Sequence, residues 1–329
     1  MRIGITGARG FLGTAITAEA KKRHWEVVGY TRFEGQEVEG ADEVRSIQDT
    51  EALDFSDIDA LIHLAGEPIV GLWTKEKLRR VRDSRVDLTN DLVEALGRLS
   101  EENRPKVLIS ASAIGFYGNR GDELLDEDAD VGFGFVPELC RDWEASAGEA
   151  KRLGIRVVTP RVGLVLGDRG LLQKIRLLFK LGLGGKLGSG NQWMSWIHID
   201  DIAGIFAECV VQTGLHGAVN AVGPNPVTNR DFTKTYARVL KRLAPFPVPK
   251  FVFNMMPGGM GCLFLDSQRV EPVVMNAFSY DWKFPDLESA LRNVEGKETV
   301  EEDAAEAEAK VDPEEPADDD SREEEVSDS

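Results

Sequence analysis

Short apolar runs alternate with amphipathic stretches through the first half of the chain. Ile3-Gly4-Ile5 leads straight into a glycine-rich turn, and residues 11–22 then read as a helix. Residues 26–30 (EVVGY), 43–46 (EVRS), 60–65 (ALIHLA) and 107–110 (VLIS) read as strands. Residues 73–99 read as a long charged helix broken near Asp83-Ser84. Residues 137–153 read as a helix with Pro137 at its start, where the missing N–H costs nothing. Residues 156–158 and 162–166 together read as a further strand. Near-continuously apolar strands alternating with helices predict an α/β fold, a doubly wound parallel sheet covered on both faces.

After Gly167 the pattern loosens. Glycines at 182, 184, 185, 188 and 190 signal loops, and helices are expected over 202–212 and 231–243. The run APFPVP (244–249) breaks the chain, and residues 251–292 read as a small lobe whose closing helix covers 285–294. The expected division is a nucleotide-binding domain over 1–168 with its sheet completed by later segments, a substrate-side and C-terminal lobe over 169–296, and an acidic tail over 297–329.

Charge is unevenly placed. Residues 297–329 hold sixteen of the 57 acids and three of the 39 bases, which leaves the body with a net of only −5 out of −18. The tail has almost no large apolar residues to offset its ordering entropy, so disorder is expected there, with a docking role for a basic protein partner as a secondary reading. An acidic body excludes nucleic acid as a partner. The longest uncharged apolar-looking stretch, 251–265, is too short to span a membrane and carries Pro257 and three glycines. Three scattered cysteines (Cys140, Cys209, Cys262) fit neither a disulfide framework nor a zinc site, and point to the cytoplasm or another reducing compartment.

The sharpest chemical signal is Thr6-Gly7-Ala8-Arg9-Gly10-Phe11-Leu12-Gly13, placed between the first strand and the first helix. In that context the glycines give a tight turn, a close approach for a diphosphate and close helix packing, while the helix N-terminus offers N–H donors to the anion. A Rossmann-type fold with a dinucleotide cofactor is therefore expected. The second strand ends Tyr30-Thr31-Arg32, with no acid before Glu34. A carboxylate there would serve a ribose 2′-hydroxyl, whereas Arg32, helped by Thr31 and by Arg9 from the loop, suits a 2′-phosphate. The expected cofactor is NADP(H).

With these segments in view, the chain resembles the extended short-chain dehydrogenase/reductase superfamily. More narrowly it resembles an atypical NAD(P)-dependent epimerase/dehydratase-like branch that carries a C-terminal domain of unknown function and is sometimes labelled cell-division-inhibitor-like. The resemblance runs from residue 1 to 294. It rests on TGARGFLG at Thr6, HLAGEPI at His63, WTKEKLRRVRDSR at Trp73, SASAIGFYG at Ser110, LCRDWE at Leu139, RVGLVLG at Arg161, the long segment from Leu181 to Asp201, and LDSQRVEP at Leu265. It implies cofactor contacts from Gly7, Gly10, Phe11 and Leu12, from Leu64, Ala65 and Gly66 at a strand end, from Arg85, and from Arg161 on the nicotinamide side. His63 reads more readily as a core histidine than as a catalyst. His198-Ile199-Asp200-Asp201 reads as a helix start capped by Asp200 or Asp201, not as a metal site.

The chain departs from the superfamily at its chemistry. Ordinary members use Ser or Thr with Tyr-x-x-x-Lys, the Tyr relaying a proton while the Lys lowers its pKa and holds the ribose. None of the four tyrosines here has Lys four residues on, and the resemblance puts Val136 and Cys140 at the usual Tyr and Lys positions. Ser112 matches the superfamily serine. Tyr117 is the nearest phenol and Glu67 another candidate acid/base. Trp193 and Trp196 are candidates for a substrate-side loop. Two readings follow: an oxidoreductase or epimerase acting on an unknown small molecule, of nucleotide-sugar type by resemblance, with rearranged acid/base groups; or a non-catalytic NADP(H)-binding redox sensor or interaction protein.

Overall fold

The computed structural model describes residues 1–48 and 53–297; the acidic stretch 298–329 lies outside the described residues, and so do the expectations placed on it. The strands are β1 (Arg2–Thr6), β2 (Glu26–Thr31), β3 (Glu43–Ser46), β4 (Ala60–His63), β5 (Val107–Ser110), β6 (Ser112–Ala113), β7 (Leu124–Leu125), β8 (Arg156–Val162), β9 (Leu164–Leu166), β10 (Trp193–Met194), β11 (Trp196–His198), β12 (Gly217–Ala221), β13 (Val227–Thr228) and β14 (Arg269–Val270). The helices begin with α1 (Phe11–Lys22), α2 (Lys75–Asp83), α3 (Val86–Arg98), α4 (Phe135–Gly148), α5 (Gly170–Lys180) and α6 (Ile199–Val211). They continue with α7 (Asn229–Val239), α8 (Lys250–Asn254), α9 (Cys262–Leu265), α10 (Val273–Ala277) and α11 (Leu287–Val294).

The main sheet has the order β12-β8-β5-β4-β1-β2-β3, and every neighbouring pair is parallel. Successive residues of a strand face opposite sides. Ile62 and Ile109 pack in a cluster with residues of α1 and α6, while Leu61 and Leu108 pack with Leu92 and Leu96 of α3. This is the doubly wound Rossmann-type sheet expected from the alternating pattern. The chain winds outward from β1 to β3 and then crosses back to β4, so the order reverses between β1 and β4, and the crevice that ligands of such sheets use opens there at the strands' carboxyl ends.

Segments after residue 168 complete the structure in two ways. β12 returns to the main sheet beside β8, and α6 lies along α1. The rest builds a smaller lobe from short pairings, β9 with β11, β10 with β13 and β7 with β14, around a cluster that includes Trp196, Phe179 and Tyr236. The expected strand over 162–166 is two elements: β8 ends at Val162 and β9 leaves the main sheet to pair with β11. Gly163 marks the break, because a Cβ there would sit 2.7 Å from Val222 Cγ1. The turn at 198–201 also differs from expectation. His198 is the cap of α6, its Nδ1 accepting from Asp200 N at 3.1 Å. Buried Asp201 instead accepts from Lys283 N (2.8 Å) and Phe284 N (3.0 Å), which fastens the C-terminal segment to the sheet domain. Among the described residues no helix is long and apolar enough to cross a membrane.

Candidate functional site

The glycine turn shapes the crevice. Gly7 has φ +70°, and a Cβ on it would lie 3.0 Å from both Leu64 C and Ala65 N, so only glycine lets β1 turn this close to the end of β4. A Cβ on Gly13 would lie 2.6 Å from Ala8 Cα, so α1 can rest on the turn only without one. The turn closes with Gly10 N donating to Gly7 O at 2.9 Å. Gly10 caps α1 with no side-chain acceptor, and the first turn of the helix holds no acid. Its leading N–H groups and the positive end of the helix dipole are therefore left for an anion.

Two cavities flank this turn. The first, of about 270 Å³, is bounded by Arg9, Thr31, Arg32, Ala65 and Gly66 among others, and no carboxylate of the described residues lines it. Arg9 and Arg32 are exposed and form no ion pair with any described residue. Thr31 is buried, and its hydroxyl donates to Phe33 O at 3.0 Å, so it steadies the turn that carries Arg32. The second cavity, of about 300 Å³, has walls from Phe11, Leu12, Leu64, Arg85, Ser112 and Trp143, with Val136 and Cys140 beside them. Thus the two positions where Tyr and Lys were expected face the second cavity, and both are filled by side chains that carry no usable charge there. Burial pushes the Cys140 thiol up to about 12, so it stays protonated.

Below the cavities a hydrogen-bond chain sets the backbone between β4 and α3. Thr6 Oγ1 accepts from Leu64 N (3.1 Å) and Ala65 N (3.2 Å) and lies 2.7 Å from His63 Nδ1. His63 Nε2 lies 3.1 Å from Thr89 Oγ1, which donates to Arg85 O. Thr89 has one proton and spends it on that carbonyl, so His63 must donate from Nε2 and accept from Thr6 at Nδ1. His63 is thus a fully buried, satisfied core histidine whose pKa burial pushes down to about 3, with the Arg85 charge adding to the effect. An unfolded imidazole takes its proton near pH ~6.5, so between that pH and the folded value the unfolded state binds the extra proton and stability is lost as pH falls. We expect His63→Gln, which can still accept from Thr6 and donate to Thr89, to flatten the fall in the urea midpoint between pH 6.5 and 4; an unchanged slope would contradict the assignment. Some slope should persist from His198, which burial lowers to about 4.

Arg85 donates from Nη1 to Glu67 O (2.9 Å) and Val81 O (3.3 Å), covers Gly66 and stacks 5.2 Å from the Trp143 ring centroid. It enters the second cavity as a cation with no carboxylate partner among the described residues. Glu67 turns the other way. Its carboxylate pairs with Lys77 at 2.8 Å, which holds it below the usual range, and it lines neither cavity.

The remaining expected residues form one buried network behind the second cavity. Ser112 Oγ donates to Glu144 Oε1 at 2.6 Å. Arg161 grips the same carboxylate through Nε (2.9 Å) and Nη2 (3.0 Å), and stacks 3.6 Å from the Phe116 ring centroid. Its Nη1 donates to Tyr117 Oη at 2.9 Å, and Tyr117 shares its one proton between Asn220 Oδ1 (2.6 Å) and Asp126 O (2.9 Å). Ser112 therefore reaches the cavity wall, whereas Arg161 and Tyr117 stand behind it. Tyr117 has no exposed surface, and burial pushes its phenol up to about 12. Neither Tyr117 nor Arg161 borders either cavity, so the structure does not bring these two expected residues together with the others. Sequence reasoning missed Glu144: it is the last residue of the LCRDWE segment, and four positions after Cys140 on α4 it shares that residue's helix face. Trp193 bonds Asp122 Oδ1 at 2.8 Å under the stacked Arg269, and Trp196 is core, so neither lines the two cavities.

Comparison with known proteins places this geometry. Residues 3–223 match the model of the NAD dependent epimerase/dehydratase family. The chain belongs to that family. Residues 248–294 of this epimerase-family chain match a domain of unknown function, DUF1731, as the C-terminal part of the resemblance implied. The human epimerase family protein SDR39U1 is 33% identical over 303 residues, covering 89% of this chain and 99% of its own. The Bacillus subtilis epimerase family protein YfhF is 33% identical over 295 residues, covering 88% and 97%. A crystal structure of human SDR39U1 with NADPH superposes with a TM-score of 0.82 at 32% identity, covering 89% of this chain and 99% of that one. The nucleoside-diphosphate sugar epimerase of Corynebacterium glutamicum superposes with a TM-score of 0.75 at 33% identity, covering 96% of this chain and 62% of that longer one.

Proposed function

We propose that this protein is an NADP(H)-binding enzyme of oxidoreductase or epimerase type. The observation that carries the reading is the first cavity: two guanidinium groups, Arg9 and Arg32, with no ion-pair partner and no lining carboxylate among the described residues, beside a turn whose helix amides are free. A 2′-phosphate is recognised by such a pair, and a diphosphate by the turn. That human SDR39U1 was crystallised with NADPH supports the choice. When bound, the cofactor would supply hydride transfer. The chain's own part is to hold the diphosphate on the amides after Gly10, to take the 2′-phosphate on Arg32 and Arg9, and to enclose the reacting end between Leu12, Arg85 and Ser112.

Calorimetric titration of the full chain tests this. NADPH should bind at least about tenfold more tightly than NADH, and Arg32→Ala should weaken NADPH by about 10- to 100-fold while leaving NADH within about twofold, the scale of one or two charge-assisted hydrogen bonds. Equal affinities, or tighter NADH, would refute the reading.

A second reading, a non-catalytic NADP(H) sensor, draws on one observation: Val136 and Cys140 line the second cavity where a proton-relaying pair is expected. Loss of NADPH absorbance with a panel of carbonyl compounds, sensitive to Ser112→Ala, favours the enzyme; cofactor-dependent partner binding without turnover favours the sensor.

A further inference from the structure

The protons around Ser112 can be placed one by one. Arg161 donates to both oxygens of Glu144, at 2.9 and 3.0 Å. A guanidinium has no acceptor atom, so this bidentate ion pair makes both carboxylate oxygens acceptors. In the 2.6 Å contact between Ser112 Oγ and Glu144 Oε1 the only proton is then the serine's own. It points away from the second cavity, and what Ser112 can offer the cavity it lines is lone pairs. Of the other polar side chains among its lining residues, Arg85 is the donor. Arg85 is a cation that faces the cavity, whereas the Cys140 thiol bonds Ser112 itself and Trp143 Nε1 is buried away from the cavity surface. The remaining lining is largely apolar.

We propose that the second cavity selects a ligand bearing a hydroxyl group, which donates to Ser112, and that Glu144 is the positioning residue that fixes this polarity. The substrate class is an alcohol with an apolar body. A hydroxyl can donate to Ser112 and accept from Arg85. A ketone oxygen can only accept, and to bond with Ser112 it would have to win a proton already held in a short, charge-assisted bond. This deepens the preceding proposal and rests on it for the assignment of the second cavity to the reacting end.

The test uses the full chain, with and without saturating NADP⁺, and two probes of like shape, cyclohexanol and cyclohexanone. Affinities are read by calorimetry or saturation-transfer NMR, so no turnover is needed. Cyclohexanol should bind about tenfold more tightly than cyclohexanone, the scale of one hydrogen bond made or forfeited in an apolar wall. Glu144→Gln keeps the shape, but an amide N–H turned toward Ser112 frees the serine proton, and the preference should shrink to within about twofold or reverse. Ser112→Ala, which leaves the Glu144–Arg161 pair intact, should erase it as well. A purely structural role for Glu144 would lower the melting temperature without moving the ratio. Equal or tighter binding of cyclohexanone, no binding of either probe, or an unchanged ratio in folded Glu144→Gln would overturn the proposal. A protein that binds NADP⁺ without the alcohol preference sinks this proposal alone. One that shows the preference without NADP⁺, yet binds no NADP⁺, sinks the cofactor reading instead.

Discussion

Gly13→Ala should weaken NADPH binding by about a hundredfold, the cost of losing one or two charge-assisted contacts between diphosphate and helix amides. The added methyl meets backbone, with Ala8 Cα at 2.6 Å and Ala8 C at 2.7 Å, and backbone cannot step aside as a side-chain tip can. α1 must tilt or slide off the turn, and the N–H groups after Gly10 lose their common aim. Overpacking of this kind also costs about 1–3 kcal/mol of stability, so the binding loss is to be measured at a temperature where circular dichroism shows the variant folded. Gly148→Ala is the control. Gly148 is in α4, has helical backbone angles and nothing within 4 Å of an added Cβ, so it should bind NADPH normally and unfold no more easily than the parent. Retained NADPH affinity in folded Gly13→Ala would remove the turn from the binding site.

Arg161→Met should be the most destabilising of the single substitutions considered. The guanidinium is 6% exposed, and it neutralises a Glu144 side chain that is 14% exposed while also bonding Tyr117 Oη and Glu127 O. Removing it strands a carboxylate in an apolar setting, which typically costs about 3–5 kcal/mol. Urea unfolding reads that loss directly. The double variant Arg161→Met/Glu144→Gln should recover a large part of it, because the buried charge goes with its partner. Arg79→Ala breaks an ion pair with Glu76 that is more than half exposed on both sides, and should leave the urea midpoint unmoved. Additive single effects in the Arg161/Glu144 cycle would show that the pair is not coupled.

How far the sequence reaches depends on whether the deciding interaction is local. β1, the glycine turn and α1 are legible because strand, turn and helix signals fall within about twenty consecutive residues and each glycine has a nearby steric reason. The break between α2 and α3 is legible at Asp83-Ser84 for the same reason. α5 is not: Leu177, Leu178 and Leu181 are exposed, so the apolar positions of 170–181 do not form one stripe, and the glycines after them mask the helix. Arg9, Arg32, Ala65 and Gly66 line one cavity because motif and strand order place them there. Arg161 and Tyr117 do not reach the cavities because long-range partners claim them: Glu144 lies 17 residues from Arg161, and Asn220 lies 103 residues from Tyr117. Nothing in the local pattern of either residue announces those partners. Glu144 itself carries no motif signal of its own and becomes visible only when α4 and β6 are seen side by side.

The most direct test is a crystal of the full chain soaked with NADPH. The account predicts the diphosphate on the amides that follow Gly10, the 2′-phosphate within hydrogen-bonding distance of Arg32 or Arg9, and the nicotinamide end against the wall that holds Ser112. Clear density with the 2′-phosphate free in solvent, or a crevice still empty at saturating NADPH, would contradict it.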